Sequence, residues 1–415
     1  MATKPIEIRI AQPGRPAAAD DEEPTFPRYE GPAFLSYGFR PFFLSAALFA
    51  GLAVPLWVWL YGQSSSPGFL YPPREWHVHE MLFGFLPAVM TGFLLTAVPN
   101  WTARPPLRGL PLLSLWLLWL AGRLALALAW PTPIVAACVD GAYLVALAAV
   151  LWRELIVAKK WGQAPIGLII GLYAVTNFLF HLRALDGLPT ALPERMVLSL
   201  LILLLTLIGG RLVPNFTREY LMQARLRPLP PPFSRFDGLA IGLVLLGTAA
   251  WIAAPETAVA GGVLVAAGVA NVIRLARWSG WLARREPLVF VLHMGFGWLA
   301  LSMLALGGAV LGVGFQPTEA IHVLTTGAVG TMTLAVMTRA TLGHTGRPKQ
   351  VGPLTLAIYG LVTVGTVFRI LVPAAAAPTA TTHAMLALAA LAWSGAYVLF
   401  AAHYGPFLLR PSLDE

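Results

Sequence analysis

EWHVHEMLFGFLPAVMTGFLLTAVPNWT, Glu75 to Thr102, decides how the rest of the chain is read. Its apolar part is long enough to cross a bilayer, whose hydrocarbon core takes about 20 helical residues. Two histidines, His77 and His79, stand at its entrance, and a Pro-Asn-Trp turn stands at its exit. Ionisable side chains at or inside a membrane span are costly, which makes each a candidate functional group.

Working outward, apolar runs of the same length recur at roughly 42–61, 77–98, 110–128, 133–152, 165–185, 193–213, 238–254, 257–274, 288–311, 318–337, 353–372 and 381–404. The expectation is an all-α polytopic membrane protein of twelve transmembrane helices, with a domain over 34–406. Residues 1–33 read as a disordered cytoplasmic tail, polar, acidic and proline-rich, and 407–415 as a short cytoplasmic C-terminal tail. Only 11% of the chain is charged, against about 25% in soluble domains. The short alternating segments of a membrane β-barrel do not occur. The net charge of +9 is no nucleic-acid signal, because the basic residues sit in short loops. One cysteine, Cys138, lies inside an apolar run, so the chain carries no disulfide framework and no CxxC motif.

Lysine and arginine set the orientation. With residues near a span end assigned to the adjoining loop, 23 fall on the side of the N-terminal tail and 3 on the other. Arg123 and Arg369 lie inside spans. The positive-inside rule then puts both termini in the cytoplasm. Span two ends in Val98-Pro99-Asn100-Trp101-Thr102 and span six in Val213-Pro214-Asn215-Phe216-Thr217. Span ten ends on the same side, and four helices separate each from the next, which suggests three four-helix repeats.

This orientation sorts the histidines into two layers, roughly 25–30 Å apart from about 20 residues at about 1.5 Å each. His77, His79, His181, His322 and His383 fall near the outer surface, and His293, His344 and His403 near the inner one. Neutral imidazole is a common metal ligand. A b-type haem needs one or two axial imidazoles, and the absence of CxxCH excludes covalent c-type attachment. His77 and His79 lie about 200° apart around a helix, so they face different neighbours. His383 and His403 sit in ordinary apolar sequence and read as interfacial residues. Glu75, Glu80 and Glu319 lie beside the candidate ligands and would orient their ring protons. Gly295, Gly297, Gly327 and Gly330 offer space for a flat macrocycle, or equally close helix packing. Arg123, mid-span, needs an anionic partner, such as a haem propionate or a carboxylate.

Several motifs together resemble the NnrS family of bacterial membrane proteins, over about residues 34–350. They are Gly38-Phe39-Arg40-Pro41-Phe42-Phe43-Leu44, Trp76 through Phe85, Gly92 through Thr102, Gly210-Arg211, and the run from His322 through Met337-Thr338-Arg339 to Gly343-His344-Thr345-Gly346-Arg347. The resemblance implies a haem- and copper-binding protein of the bacterial cytoplasmic membrane, linked to denitrification and nitric oxide tolerance. The family's motif histidines correspond to His77, His79, His293, His322 and His344, with His181 added.

The expected cofactors are one or two haem b groups, with copper. An outer haem centre is expected from His79 and His322 with His181, an inner one from His293 and His344, and copper at His77. Arg123 joins the candidate cofactor-binding residues. The expected partners are the lipid bilayer, nitric oxide or a related small gas, and a quinol or electron-donor protein. Two rival readings stay open: a twelve-helix secondary transporter, and a non-enzymatic factor that protects metal centres under nitrosative stress.

Overall fold

The computed structural model of the chain describes residues 29–61, 69–372 and 379–413. The disordered tail expected at the N-terminus lies outside the described residues up to position 28. Among the described residues there is no strand, and twelve helices are long and apolar enough to span a membrane. They are α1 (Phe39–Tyr61), α2 (Pro73–Thr102), α3 (Leu110–Leu128), α4 (Pro133–Val157), α5 (Trp161–Leu185), α6 (Ala191–Gln223), α7 (Arg235–Ala253), α8 (Ala258–Arg277), α9 (Pro287–Val310), α10 (Pro317–Gly343), α11 (Pro353–Leu371) and α12 (Ala380–Leu409). Each covers one of the expected apolar runs to within a residue, and most extend beyond it, α6 by ten residues at its C-terminal end.

The starts follow ordinary chemistry. Proline opens α2, α4, α9, α10 and α11, where its missing N–H costs nothing. Ser234 and Asp237 close a reciprocal capping box on α7, and Gln316 and Glu319 close one on α10. The Pro-Asn turns were expected to stop spans two and six. Instead α2 runs through Pro99 to Thr102, and α6 runs through Pro214 to Gln223. Packing against neighbouring helices lets a membrane helix tolerate the lost donor. Thr102 bonds back to the Val98 carbonyl at 2.8 Å and Thr217 to the Val213 carbonyl at 2.7 Å. That is a likeness of two helix ends, and by itself it does not relate whole four-helix units.

The helices pack as neighbours in sequence, with α3 on α4, α7 on α8 and α11 on α12. Further close packing joins α4 to α5, α8 to α9, and α12 back to α1. The ring encloses α2, of whose apolar window 89% is buried, against 33% for α7 and α11. Arg40 locks the closure of the ring. Its guanidinium donates to the carbonyls of Phe407, Leu408 and Arg410, at the otherwise unpaired end of α12.

Two stretches depart from α-helical bonding. Glu80–Phe85 of α2 and Val323–Val329 of α10 are π-helical. Each begins immediately after a histidine, His79 or His322, and each contains a glycine five residues beyond that histidine, Gly84 or Gly327. Such widened turns are often found at functional sites. α6 has no π-helical turn.

Candidate functional site

The two histidines of α2 look into different places. His79 is fully buried in a polar cluster built by α2, α3, α4 and α5. Its Nε2 lies 3.0 Å from Asn177 Oδ1 and 3.3 Å from Asp140 Oδ2, and its Nδ1 lies 3.2 Å from Glu80 Oε1. His181 Nε2 lies 2.9 Å from the same Asp140 oxygen, which also accepts from Asn177 Nδ2 at 2.8 Å. An ionised carboxylate only accepts, so His181 donates from Nε2 and its Nδ1 accepts from Tyr71 O–H at 2.5 Å. Burial, with the charge of Glu80 adding to it, holds the Tyr71 phenol protonated far above its usual range. Arg123 closes the cluster, donating to Glu80 Oε2 at 2.7 Å and to Asp140 Oδ1.

The local sequence explains the fit. Gly84 sits where a Cβ would come within 2.1 Å of Arg123 Nη1, and Gly122 packs on the Asp140 backbone, where a Cβ would meet Cα at 3.1 Å. Both glycines let helices close around the guanidinium. Two carboxylates face one guanidinium, so one further positive charge makes the cluster neutral. One ligand atom each from His79, Asp140 and His181 lies within 4.8 Å of the others. A cation of any kind, a proton or a metal, satisfies that balance.

His77 faces the other way. Its ring stacks on Trp57 with centroids 4.2 Å apart, and its buried Nδ1 has no hydrogen-bond partner among the described residues. With His322 it lines a cavity that is partly open to the outside. The walls come from α1, α2, α6, α10, α11 and α12 and are almost wholly apolar, with Met81, Phe85, Trp393, Gly365 and Ala389 among them. The exceptions are the two histidines, Thr325, Thr326, Glu194 and Arg369. Glu194 is held by Thr190 at 2.6 Å and by Arg74 at 2.9 Å. His322 Nδ1 lies 2.7 Å from the Thr318 carbonyl, which makes Nδ1 the protonated nitrogen and leaves Nε2 with its lone pair.

The pairing thus differs from the expected one. Among the described residues no contact joins His79 to His322. His79 lies against His181, ring centroids 4.8 Å apart, and His322 shares its cavity with His77. Arg123 is paired with Glu80 and Asp140 rather than left for a cofactor carboxylate. At the other end of the bundle no contact joins His293 to His344 among the described residues. His293 Nε2 lies 2.7 Å from the Thr217 hydroxyl, and the His344 ring sits 5.7 Å from Phe39. Three of the four glycines expected to make room for a macrocycle are packed instead, while Gly297 has only an ordinary contact with Leu275. A Cβ on Gly295 would strike Met332, one on Gly327 would meet Trp298, and one on Gly330 would strike Trp393. Of the three glutamates expected beside the histidines, Glu80 alone reaches one; Glu75 pairs with Arg74 and Glu319 caps its own helix.

Asp140, Asn177 and Tyr71 were not singled out from the sequence. The signal for Asp140 was present, because a carboxylate inside an apolar run, AACVDGAYLV, is a candidate by the same rule that flagged the histidines. Asn177 and Tyr71 carry no such signal.

The family model described as NnrS protein matches residues 33–412. The chain belongs to the NnrS family. No curated protein matches it. NnrS membership fits a membrane protein with a nitric-oxide-related role, and the family is metal-associated.

Proposed function

We propose that this NnrS protein is a membrane haem protein that binds nitric oxide in the cavity between His77 and His322. One observation carries the reading. Two imidazoles on facing helices, one with an unpartnered buried nitrogen and one with a free Nε2, look into the same apolar cavity. That donor set suits a b-type haem, which asks for axial imidazole and an apolar surround.

Haem held by His322 or His77 would supply an iron centre that binds nitric oxide and can pass it one electron taken from an external donor. The chain's own residues do the rest. Thr318 fixes the His322 tautomer, and stacking on Trp57 fixes the His77 ring. The apolar walls exclude water and admit a gas that partitions into lipid. Glu194, Thr325 and Thr326 place the few hydrogen-bonding groups within reach of a small polar ligand. The cluster of His79, Asp140 and His181 is the better place for copper than His77, because imidazole suits that metal and the paired carboxylates call for a cation. The family's link to nitric oxide supports detoxification or reduction, with electrons from a quinol or a donor protein in the cytoplasmic membrane. The Lys/Arg asymmetry of the loops supports both termini lying on the cytoplasmic side.

The test is the optical spectrum and metal content of the purified full-length protein, with His77→Ala, His322→Ala, His79→Ala and His181→Ala beside it. Haem absorbance is expected in the parent protein, perturbed or lost in the first two variants and retained in the last two. Copper content is expected to fall in the last two. A folded parent protein without haem absorbance would falsify the reading. Haem without consumption of nitric oxide under a reductant would turn the assignment toward a binding or protective factor.

A further inference from the structure

We infer that Arg369 is the residue that holds a carboxylate of the ligand in the cavity, fixing which way round a porphyrin sits; the inference rests on the haem reading above. Of the other arginines inside the bundle, Arg195 on α6 also leaves its buried Nε without a hydrogen-bond partner among the described residues, but it does not line the cavity; the rest are accounted for. Arg40 caps α12 through three carbonyls. Arg123 has Glu80 and Asp140, Arg274 has Asp237 and Asn271, and Arg339 has Glu219 at 3.7 Å with the Phe216 ring beneath it. Arg369 also lies inside the bundle, half-buried and lining the cavity, yet it makes no hydrogen bond or ion pair among the described residues. Tyr61 and Glu319 act on it only through space, and Glu319 is committed to capping α10.

A guanidinium in an apolar wall beside two neutral imidazoles is unfavourable without an anion. Membrane topology does not account for it, since Arg369 ends α11 on the side of the bundle where lysine and arginine are scarce. The position is built. Gly365, one turn earlier on the same face, lets α11 close on α12 so tightly that a Cβ would stand 2.6 Å from the Trp393 nitrogen. That approach brings Arg369 to the wall shared with His77 and His322. Guanidinium matches carboxylate in a two-pronged geometry. A planar metal-bearing ligand held by imidazole in this cavity, with a carboxylate at its rim, would answer both the histidines and Arg369. A quinone, which carries no carboxylate, leaves Arg369 unanswered.

The experiment uses full-length protein expressed under haem limitation and titrated in detergent with iron protoporphyrin IX or with its dimethyl ester, followed by the Soret band. The parent protein is expected to bind the free acid roughly tenfold to a hundredfold more tightly than the ester, the range of a charge-assisted hydrogen bond. In Arg369→Gln that preference disappears, with the free acid falling to the affinity of the ester. Arg369→Lys keeps the preference in part, which separates the carboxylate contact from general damage. Equal binding of acid and ester by the parent protein, or an undiminished preference in Arg369→Gln, would overturn the inference while leaving haem in the cavity. Binding of neither porphyrin by a folded parent protein would overturn it together with the haem reading.

Discussion

His77 and His79 stand two residues apart on α2 and belong to separate environments. The His77 ring lies 4.2 Å from Trp57 at the wall of an apolar cavity, and the His79 ring lies 4.8 Å from His181 inside a closed polar cluster. The helix acts as a partition. One face presents imidazole to an apolar cavity, and the other anchors the helix to α3, α4 and α5 through charge. The π-helical turn begins at Glu80, immediately after both histidines, so the two imidazoles are carried on one short α-helical segment, Pro73–His79.

The polar cluster carries much of the stability of the outer helices. Removing one member of a buried ion pair leaves the other uncompensated, at a cost of about 3–5 kcal/mol. Asp140→Ala leaves Arg123 its Glu80 partner but removes the acceptor of His181 and Asn177, and is expected to cost less than that, about 1–3 kcal/mol. Arg74→Ala breaks its pair with Glu194 where the arginine is 61% exposed, and is expected to cost less than about 1 kcal/mol. Denaturant unfolding in a fixed detergent, followed by tryptophan fluorescence, compares them. An Asp140→Ala protein as stable as Arg74→Ala would show that the cluster is not a stabilising unit.

Glycine is required at 84 by space and is dispensable at 238. A Cβ at 84 would lie 2.1 Å from Arg123 Nη1 and 3.0 Å from Glu80 Oε2, two atoms pinned by each other. Gly84→Ala is expected to destabilise by about 1–3 kcal/mol, the cost of overpacking. A Cβ at 238 meets nothing within 4 Å, and the position is in the first turns of α7. Gly238→Ala is expected to be neutral or to stabilise by about 0.4–1 kcal/mol. Thermal denaturation of the two variants side by side decides it, and the reverse order would count against the packing around Arg123.

The twelve helices were legible in the sequence because each apolar run alone is long enough to span a bilayer, and lipid leaves the backbone no alternative to a helix. The opposite facing of His77 and His79 was legible for a similar reason, since it follows from the helical period. The partner of each histidine was not. His181 and His322 lie in the same layer by residue counting, and depth alone cannot say which of them faces His79. That is settled by the azimuth of α2, which Arg123 fixes by drawing Glu80 and Asp140 together. Arg123 itself was legible as a residue needing an anion, yet two anions were available, one in the chain and one in a cofactor. The π-helical turns at Glu80 and Val323 depend on tertiary packing and leave no mark in hydropathy.

Two tyrosines tie neighbouring helices in the same manner. Tyr143 of α4 bonds Thr91 of α2 at 2.5 Å and the Pro87 carbonyl at 3.2 Å. Tyr397 of α12 bonds Thr333 of α10 at 2.7 Å and the Gly330 carbonyl at 3.2 Å. Polar contacts between membrane helices are worth about 0.6 kcal/mol on average, up to about 1.7. Tyr143→Phe and Tyr397→Phe are each expected to lose an amount in that range. The double variant is expected to lose their sum, because the pairs share no residue. Equilibrium unfolding of the three proteins measures it, and strong non-additivity would indicate that the two ends of the bundle are coupled.

Glu286 supplies a pH dependence outside the spans. It precedes α9, half-buried, and burial raises its carboxyl above the usual value of 4.5, with the backbone at Leu288 and the charge of Arg339 partly opposing the rise. A carboxyl whose folded pKa lies above its unfolded one favours the folded state while it is protonated. Its contribution is therefore fully present below about pH 4.5 and is lost as pH rises through the folded value. At pH 7 the folded protein carries a charge that the unfolded chain holds more comfortably. Glu286→Gln removes that charge and keeps the shape, so it is expected to be more stable than the parent protein at pH 7. The difference should shrink toward zero as pH falls to the unfolded pKa. Melting temperatures of both proteins from pH 4 to pH 8 in one detergent make the comparison. A variant less stable than the parent at pH 7 would mean that attraction to Arg339 outweighs the cost of burial, and that the shift runs the other way.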